Sequence, residues 1–120
     1  MSAPLIPTEI RIRRSTRALE LTFNDGTAAS LPAEYLRVES PSAEVRGHAP
    51  DQKILVTGKQ DVNIAAVEPI GNYAVRIRFT DGHDTGIYSW TFLKLLSLEH
   101  GQRWTHYLQQ LEERGIVRSA

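Results

Sequence analysis

Alternating apolar and polar residues mark two similar segments of this chain. Residues 18–23 and 74–79 each follow a period of two, which is typical of a strand with one buried face. Asp25-Gly26 and Asp81-Gly82 follow these strands, and such residues tolerate the positive φ of a tight turn. The pattern therefore predicts two β-hairpins, each with a return strand after its turn.

Each return strand leads into a short predicted helix. The first return strand reaches Pro32, which suits the first turn of a helix over Ala33–Arg37, and the second reaches Ser89, a common N-cap. A third, amphipathic helix is predicted near the C-terminus, ending at Gly115, because apolar residues recur at helical spacing: Trp104, Tyr107, Leu108 and Leu111. Further strands are predicted at 9–13, 54–56 and 62–70.

The two hairpin–helix units are similar in sequence. Phe79 lies 56 residues after Phe23, and both phenylalanines stand two residues before Asp-Gly. An old duplication explains this similarity, and so does convergence on favourable hairpin chemistry; both explanations stay open. The fold class predicted is α+β, with mostly antiparallel sheets built from two similar β-hairpin–helix units and a C-terminal amphipathic helix.

Size and charge narrow the classes of function. The 120 residues fit one domain, predicted over residues 8–116 between a disordered lead-in at 1–7 and a tail at 117–120. Fourteen basic residues balance fourteen acidic ones, and no apolar run is long enough to cross a bilayer. We therefore expect neither nucleic acid nor a membrane as partner. With no cysteine and no signal-peptide pattern, the expected location is the cytoplasm.

One basic cluster stands out against this balance, and it comprises Arg11, Arg13, Arg14 and Arg17. We interpret it as the solvent side of an edge strand, where charge discourages aggregation. The alternative is a binding face.

No self-sufficient catalytic set is visible in the chain. Ser89 lacks the Gly-x-Ser-x-Gly context of a hydrolase, and Gly58-Lys59 lacks the rest of a phosphate-binding loop. His100 and His106 are interpreted as surface residues. Four aromatic residues are interpreted as core rather than as a ligand platform: Trp90, Phe92, Trp104 and Tyr107.

Two other histidines raise the question of a ligand site. His83 follows the second turn, where a local hydrogen bond is the favoured role over that of a ligand or proton carrier. His48 lies in the irregular stretch 40–53, a length of loop that is commonly functional. If that loop folds towards His83, the two imidazoles together with Asp81 or Asp84 would suit a divalent metal.

The segment around Leu36-Arg37 and the run Asp81-Gly82-His83 through Trp90 resemble the gamma-butyrobetaine hydroxylase-like N-terminal domain family. The resemblance covers about residues 7–115. Members of that family are fused to carnitine-pathway dioxygenases, attached to Mrp-type iron–sulfur scaffold proteins, or free-standing in bacteria. No catalytic barrel follows in this sequence, so we expect the free-standing type, and the resemblance implies a fold and an accessory role rather than a dioxygenase reaction.

The resemblance also implies a former zinc site. In the hydroxylases, three cysteines and one later histidine hold a structural zinc. Those positions correspond here to Ser40, Ser42, Val45 and His83. Because a neutral hydroxyl is a poor zinc ligand and valine is none, we expect the site to be degenerate and no cofactor to be bound.

The function predicted from the sequence is that of a non-catalytic accessory or protein-interaction domain. The alternative is a small-ligand or divalent-metal-binding protein that uses the region of His48 and His83. The candidates for ligand or partner binding are Arg37, Arg46, His48, Asp81, His83 and Trp90.

Overall fold

The computed structural model describes residues 4–42 and 55–118. Within them, the chain forms two three-stranded antiparallel sheets and three helices. The strands are β1 (Pro7–Arg13), β2 (Ala18–Phe23), β3 (Ala28–Pro32), β4 (Ile64–Ile70), β5 (Ala74–Phe79) and β6 (Ile87–Ser89). The helices are α1 (Ala33–Val38), α2 (Trp90–Leu98) and α3 (His100–Glu113). This architecture confirms the predicted α+β fold with a C-terminal helix.

One apolar core joins the two sheets. β2 and β5 are the central strands, and their alternating side chains are buried on one face as the period of two predicted. Helices α1 and α2 cover this face and bury Leu36 and Leu93. Burial of this apolar area is the main stabilising term of the fold.

The two hairpins share their hydrogen bonds as well as their sequence pattern. Phe23 N donates to Thr27 O at 2.8 Å, and Phe79 N donates to His83 O at 2.9 Å. Gly26 and Gly82 close the turns with φ of 88° and 91°, a region that a side chain rarely adopts. The β-bulges of β1 and β4 also fall opposite Phe23 and Phe79. The similarity therefore extends through whole three-stranded units.

The repeat extends further, to contacts between the units. Arg37 on α1 bonds Asp81 in the second turn, with Nε 2.8 Å from Oδ2. Lys94, at the equivalent place on α2, bonds Asp25 in the first turn, with Nζ 3.2 Å from Oδ2. Each helix is thus tied to the hairpin of the other unit. Favourable hairpin chemistry does not by itself require this reciprocal pairing.

Helix α3 forms a second, smaller core with the end of α1. Tyr107 and Leu111 pack with Val38, and Ile116 of the C-terminal segment packs against them. Leu108, predicted to lie on the apolar face, is 37% exposed. Gly115, at φ of 67°, follows the helix as predicted.

Several predicted details differ in the structure. Leu55 and Val56 belong to no strand and pack instead against the second core, which satisfies their apolar side chains without a ladder. Ile54 lies outside the described residues. Pro32 is the N-cap of α1 and the last residue of β3 rather than part of the helix.

Strand β1 is an edge strand, in line with the preferred interpretation of the arginine cluster. Arg11 and Arg13 form ion pairs with Glu9 and Glu20 on the exposed surface. Arg14 donates to the carbonyl of Ala65 at 2.9 Å and so links β1 to β4. No described helix is both long enough and apolar enough to cross a bilayer.

Candidate functional site

Two chain segments meet at the described positions that the family resemblance assigned to zinc ligands. Ser40 and Ser42 follow helix α1, and His83 to Gly86 connect β5 to β6. Because α1 covers the sheet that contains β5, the end of this helix lies over the second turn. The fold therefore places Ser40 and His83 in contact although 43 residues separate them.

The polar side chains of this cluster bond to one another. Ser40 Oγ lies 2.9 Å from His83 Nε2, and Ser42 Oγ lies 2.7 Å from Thr85 Oγ1. The exposed fractions of Ser40, Ser42 and His83 are 1%, 7% and 7%. Buried hydroxyls and imidazoles need such partners, because an unpaired one costs about 1–3 kcal/mol. The hydrogen bonds therefore hold the junction of α1 and the second hairpin.

Asp81 is the charged centre of the turn beside this cluster. Its Oδ2 accepts from Arg37 Nε at 2.8 Å and from Lys59 Nζ at 2.7 Å, and its Oδ1 accepts from His83 N at 3.1 Å. Burial raises the pKa of Asp81, but the hydrogen bonds from Lys59, His83 N–H and Arg37 outweigh it and bring the pKa to about 2. Asp81 is therefore an anion at neutral pH, with two cations on one oxygen.

Close packing seals the cluster from the side of β6. Tyr88 is fully buried and donates its hydroxyl to Leu36 O at 2.6 Å. Burial raises the pKa of the Tyr88 hydroxyl, so this group remains a donor. Gly86 leaves no room for a side chain, because a Cβ there would lie 2.5 Å from Ser40 Oγ.

The structure brings some of the predicted residues together and separates another. Arg37, Asp81 and His83 form one contiguous group with Ser40. Trp90 lies at the opposite end of β5, where its Nε1 donates to Asn72 O at 2.8 Å. A six-residue strand spans about 20 Å, so Trp90 does not share this site. Val45, Arg46 and His48 lie outside the described residues.

Two residues of the site were not predicted from the sequence. Lys59 was considered only as part of an incomplete phosphate-binding motif, and Thr85 was not singled out. Neither position follows a periodic pattern or a complete motif, and their roles depend on how the two hairpins pack. Ser42, one residue beyond Pro41, was identified only through the family resemblance.

The donors at this site do not match a structural zinc set. A closed tetrahedral site needs thiolates or imidazoles at most of its four positions. The described positions offer one imidazole and two neutral hydroxyls, and Nε2 of that imidazole faces Ser40 Oγ. Among the described residues, no three His, Cys, Asp or Glu side chains are grouped to hold a metal.

The remaining candidate residues are accounted for by packing. His100 is half-buried and stacks on Tyr35 with ring centroids 4.5 Å apart, while His106 is exposed. Tyr107 is buried, and the other three predicted core aromatics are half-buried against the main core: Trp90, Phe92 and Trp104.

Comparison with known proteins identifies relatives of this chain in sequence and in fold. The sequence model of the family described as "Gamma-butyrobetaine hydroxylase-like, N-terminal" matches residues 10–94. A crystal structure of a DUF971-family protein of unknown function from Acidithiobacillus ferrooxidans ATCC 23270 is 41% identical, with a TM-score of 0.64. That match covers 76% of this chain and 91% of the other. No curated protein matches.

Two NMR solution structures are similar over nearly the whole chain. One is 44% identical with a TM-score of 0.83, and the other is 40% identical with a TM-score of 0.82. Each match covers 98% of this chain, and the matches cover 87% and 92% of the respective relatives. Since the family's sequence model spans most of the described core, this chain belongs to the gamma-butyrobetaine hydroxylase-like N-terminal domain family.

Proposed function

We propose that this protein is a non-catalytic accessory domain that binds another protein. The observation that carries the non-catalytic part of the proposal is the closure of the polar cluster: Ser40 and His83 are buried and hydrogen-bonded to each other. A nucleophilic serine must reach its substrate, but Ser40 is 1% exposed. The cluster is suited to stabilising the junction between α1 and the second hairpin.

The bonds of Asp81, the acid at this site, also indicate a structural role. In a catalytic triad the carboxylate bonds the imidazole and orients it. Here Asp81 bonds the backbone N–H of His83 and two cationic side chains. This arrangement fixes the turn and supports a role in folding rather than in proton transfer. The family settings, in front of dioxygenases and on iron–sulfur scaffold proteins, favour service to metabolic or iron–sulfur machinery in the cytoplasm.

The accessory role is tested by turnover and capture together. Purified protein should hydrolyse ester, amide and phosphoester substrates no faster than its Ser40→Ala variant does. The tagged chain should retain the same protein from its native cell in repeated captures, and purified samples of the two should bind each other. Turnover that Ser40→Ala abolishes would overturn the proposal.

We propose as well that the zinc position is degenerate. The support is chemical, since the described positions supply hydroxyls where the hydroxylases supply thiolates. Wild-type protein should carry no stoichiometric zinc by elemental analysis, whereas a Ser40→Cys, Ser42→Cys, Val45→Cys variant should bind one zinc per chain. Tight zinc binding by the wild type, with shifts of the His83 imidazole in NMR spectra, would instead support the divalent-metal alternative.

A further inference from the structure

The two turn aspartates, equivalent in sequence, have different surroundings. Among the described residues, Asp25 forms an ion pair with Lys94 alone, and Lys94 Nζ also donates to Thr27 Oγ1. Asp81 pairs with both Arg37 and Lys59. The repeat therefore provides an internal reference, because the two turns share a backbone and differ in their charges.

The second turn also has a donor without an acceptor. Arg37 Nη1 is buried and has no hydrogen-bond partner among the described residues. Arg37 reaches Asp81 through Nε, and neither carboxylate oxygen of Asp81 accepts from Nη1 at the observed geometry. An unpaired buried guanidinium N–H is costly, so this donor needs an acceptor such as a bound water or a bound anion.

We propose that Arg37 and Lys59 form a binding site for a small oxyanion, a carboxylate or a phosphate group. The planar guanidinium presents several donors in a fixed fork, which suits two oxygens of one anionic group. Lys59 adds a point charge at the same place, because both cations lie within 3 Å of Asp81 Oδ2. The Lys59 side chain is 25% exposed, so the anion enters from the side of Lys59.

The first turn lacks this capacity. Lys94 Nζ has Asp25 and Thr27 as acceptors and lies 5.2 Å from the centre of the Phe23 ring. A single ammonium held by these groups has no fork to offer. The oxyanion should therefore bind at the second turn and not at the first, although the two turns have matching backbones.

The test is an NMR titration of the full chain with sodium phosphate and, separately, sodium acetate, at constant ionic strength and neutral pH. Saturable shifts are expected at the Arg37 side-chain Nε–H and at the backbone amides of Lys59 and His83. Lys59→Gln should weaken the apparent affinity about tenfold, the effect of one charge-assisted hydrogen bond. Lys94→Gln, the matched variant at the first turn, should change it less than about twofold.

Both arms of the titration are informative. Tighter binding of phosphate assigns a phosphate-bearing ligand, and tighter binding of acetate assigns a carboxylate. Shifts that rise linearly without saturation, or an equal loss of affinity in Lys59→Gln and Lys94→Gln, would overturn the inference. That result would leave the accessory role untouched, because protein capture does not depend on a free anion.

Discussion

At the scale of single residues, Asp81 has the largest electrostatic role in the candidate site. Its side chain is 18% exposed and accepts hydrogen bonds from Arg37, Lys59 and the His83 backbone. These donors favour the carboxylate and outweigh its burial, which sets the pKa at about 2. Because this pKa lies below the usual value for an aspartate, ionised Asp81 stabilises the folded state.

Stability should therefore depend on pH through Asp81. The contribution is present above about pH 4, where the unfolded chain is also ionised, and is lost as the pH falls towards 2. Urea unfolding should show that Asp81→Asn lowers the free energy of unfolding by about 2 kcal/mol at pH 6, and that the difference shrinks steadily between pH 4 and 2. A difference that is independent of pH would contradict the assigned ion pairs. Asp25→Asn is the matched variant at the first turn. Hydrogen bonds from Thr27 also lower the pKa of Asp25 to about 2, but Asp25 is more exposed to solvent, so its loss should cost less.

At the scale of elements, the junction of α1 with the second hairpin depends on close packing around Gly86. A Cβ at Gly86 would lie 2.5 Å from Ser40 Oγ and 3.0 Å from the Tyr88 ring. Tyr88 cannot move without breaking its bond to Leu36 O. A side chain at this position must therefore displace Ser40 and weaken its contact with His83.

Gly86→Ala should destabilise the protein by about 1–3 kcal/mol, the usual cost of overpacking a buried site. Thermal or urea unfolding measures this cost, and Gly101→Ala in α3 is the control because a Cβ there meets nothing within 4 Å. Gly101→Ala should stabilise by about 0.5–1 kcal/mol through helix propensity. The double variant Gly86→Ala, Ser40→Gly should lose less than the two single losses combined, since it removes the clashing hydroxyl. Simple additivity would show that Ser40 is not the obstacle.

Elements that depend on local sequence signals could be predicted, whereas contacts between distant segments could not. The hairpins were predictable because alternation and Asp-Gly turns are local signals, and β2 and β5 lie where these signals indicated. The contact of Ser40 with His83 was accessible only through the family resemblance. Lys59 was not identified, because its bond to Asp81 depends on packing between distant segments. Leu55 and Val56 were wrongly predicted to form a strand for the same reason. A short apolar run is compatible both with a strand and with a non-strand segment that packs against a core.

At the scale of the whole molecule, two buried acids attach helix α3 to helix α1 and its C-terminal end. One is Glu39, which accepts from Arg103 at 2.7 Å, and the other is Glu34. Glu34 on α1 is 6% exposed, accepts from the Tyr107 hydroxyl at 2.9 Å and accepts from Arg118 Nε at 2.9 Å. Arg118 also lies over the Trp104 ring, 5.3 Å from its centre. The attachment spans 84 residues of sequence and ends in a segment predicted to be only a tail. The C-terminal segment therefore completes the second core.

Arg118→Ala should loosen α3 without unfolding the two sheets. Without Arg118, the buried Glu34 keeps only Tyr107 as a described partner, and leaving a buried charge underpaired costs about 1–3 kcal/mol. Hydrogen exchange should show lower protection for the amides of α3, while those of β2 and β5 keep theirs, because their core is built from other residues. Arg114→Ala, beyond the end of α3 and exposed, is the control and should change neither set. Equal loss of protection in the helix and the sheets would show that α3 unfolds together with the two sheets as one cooperative unit. In that case the contacts of Arg118 would also support the part of the fold that positions the candidate site.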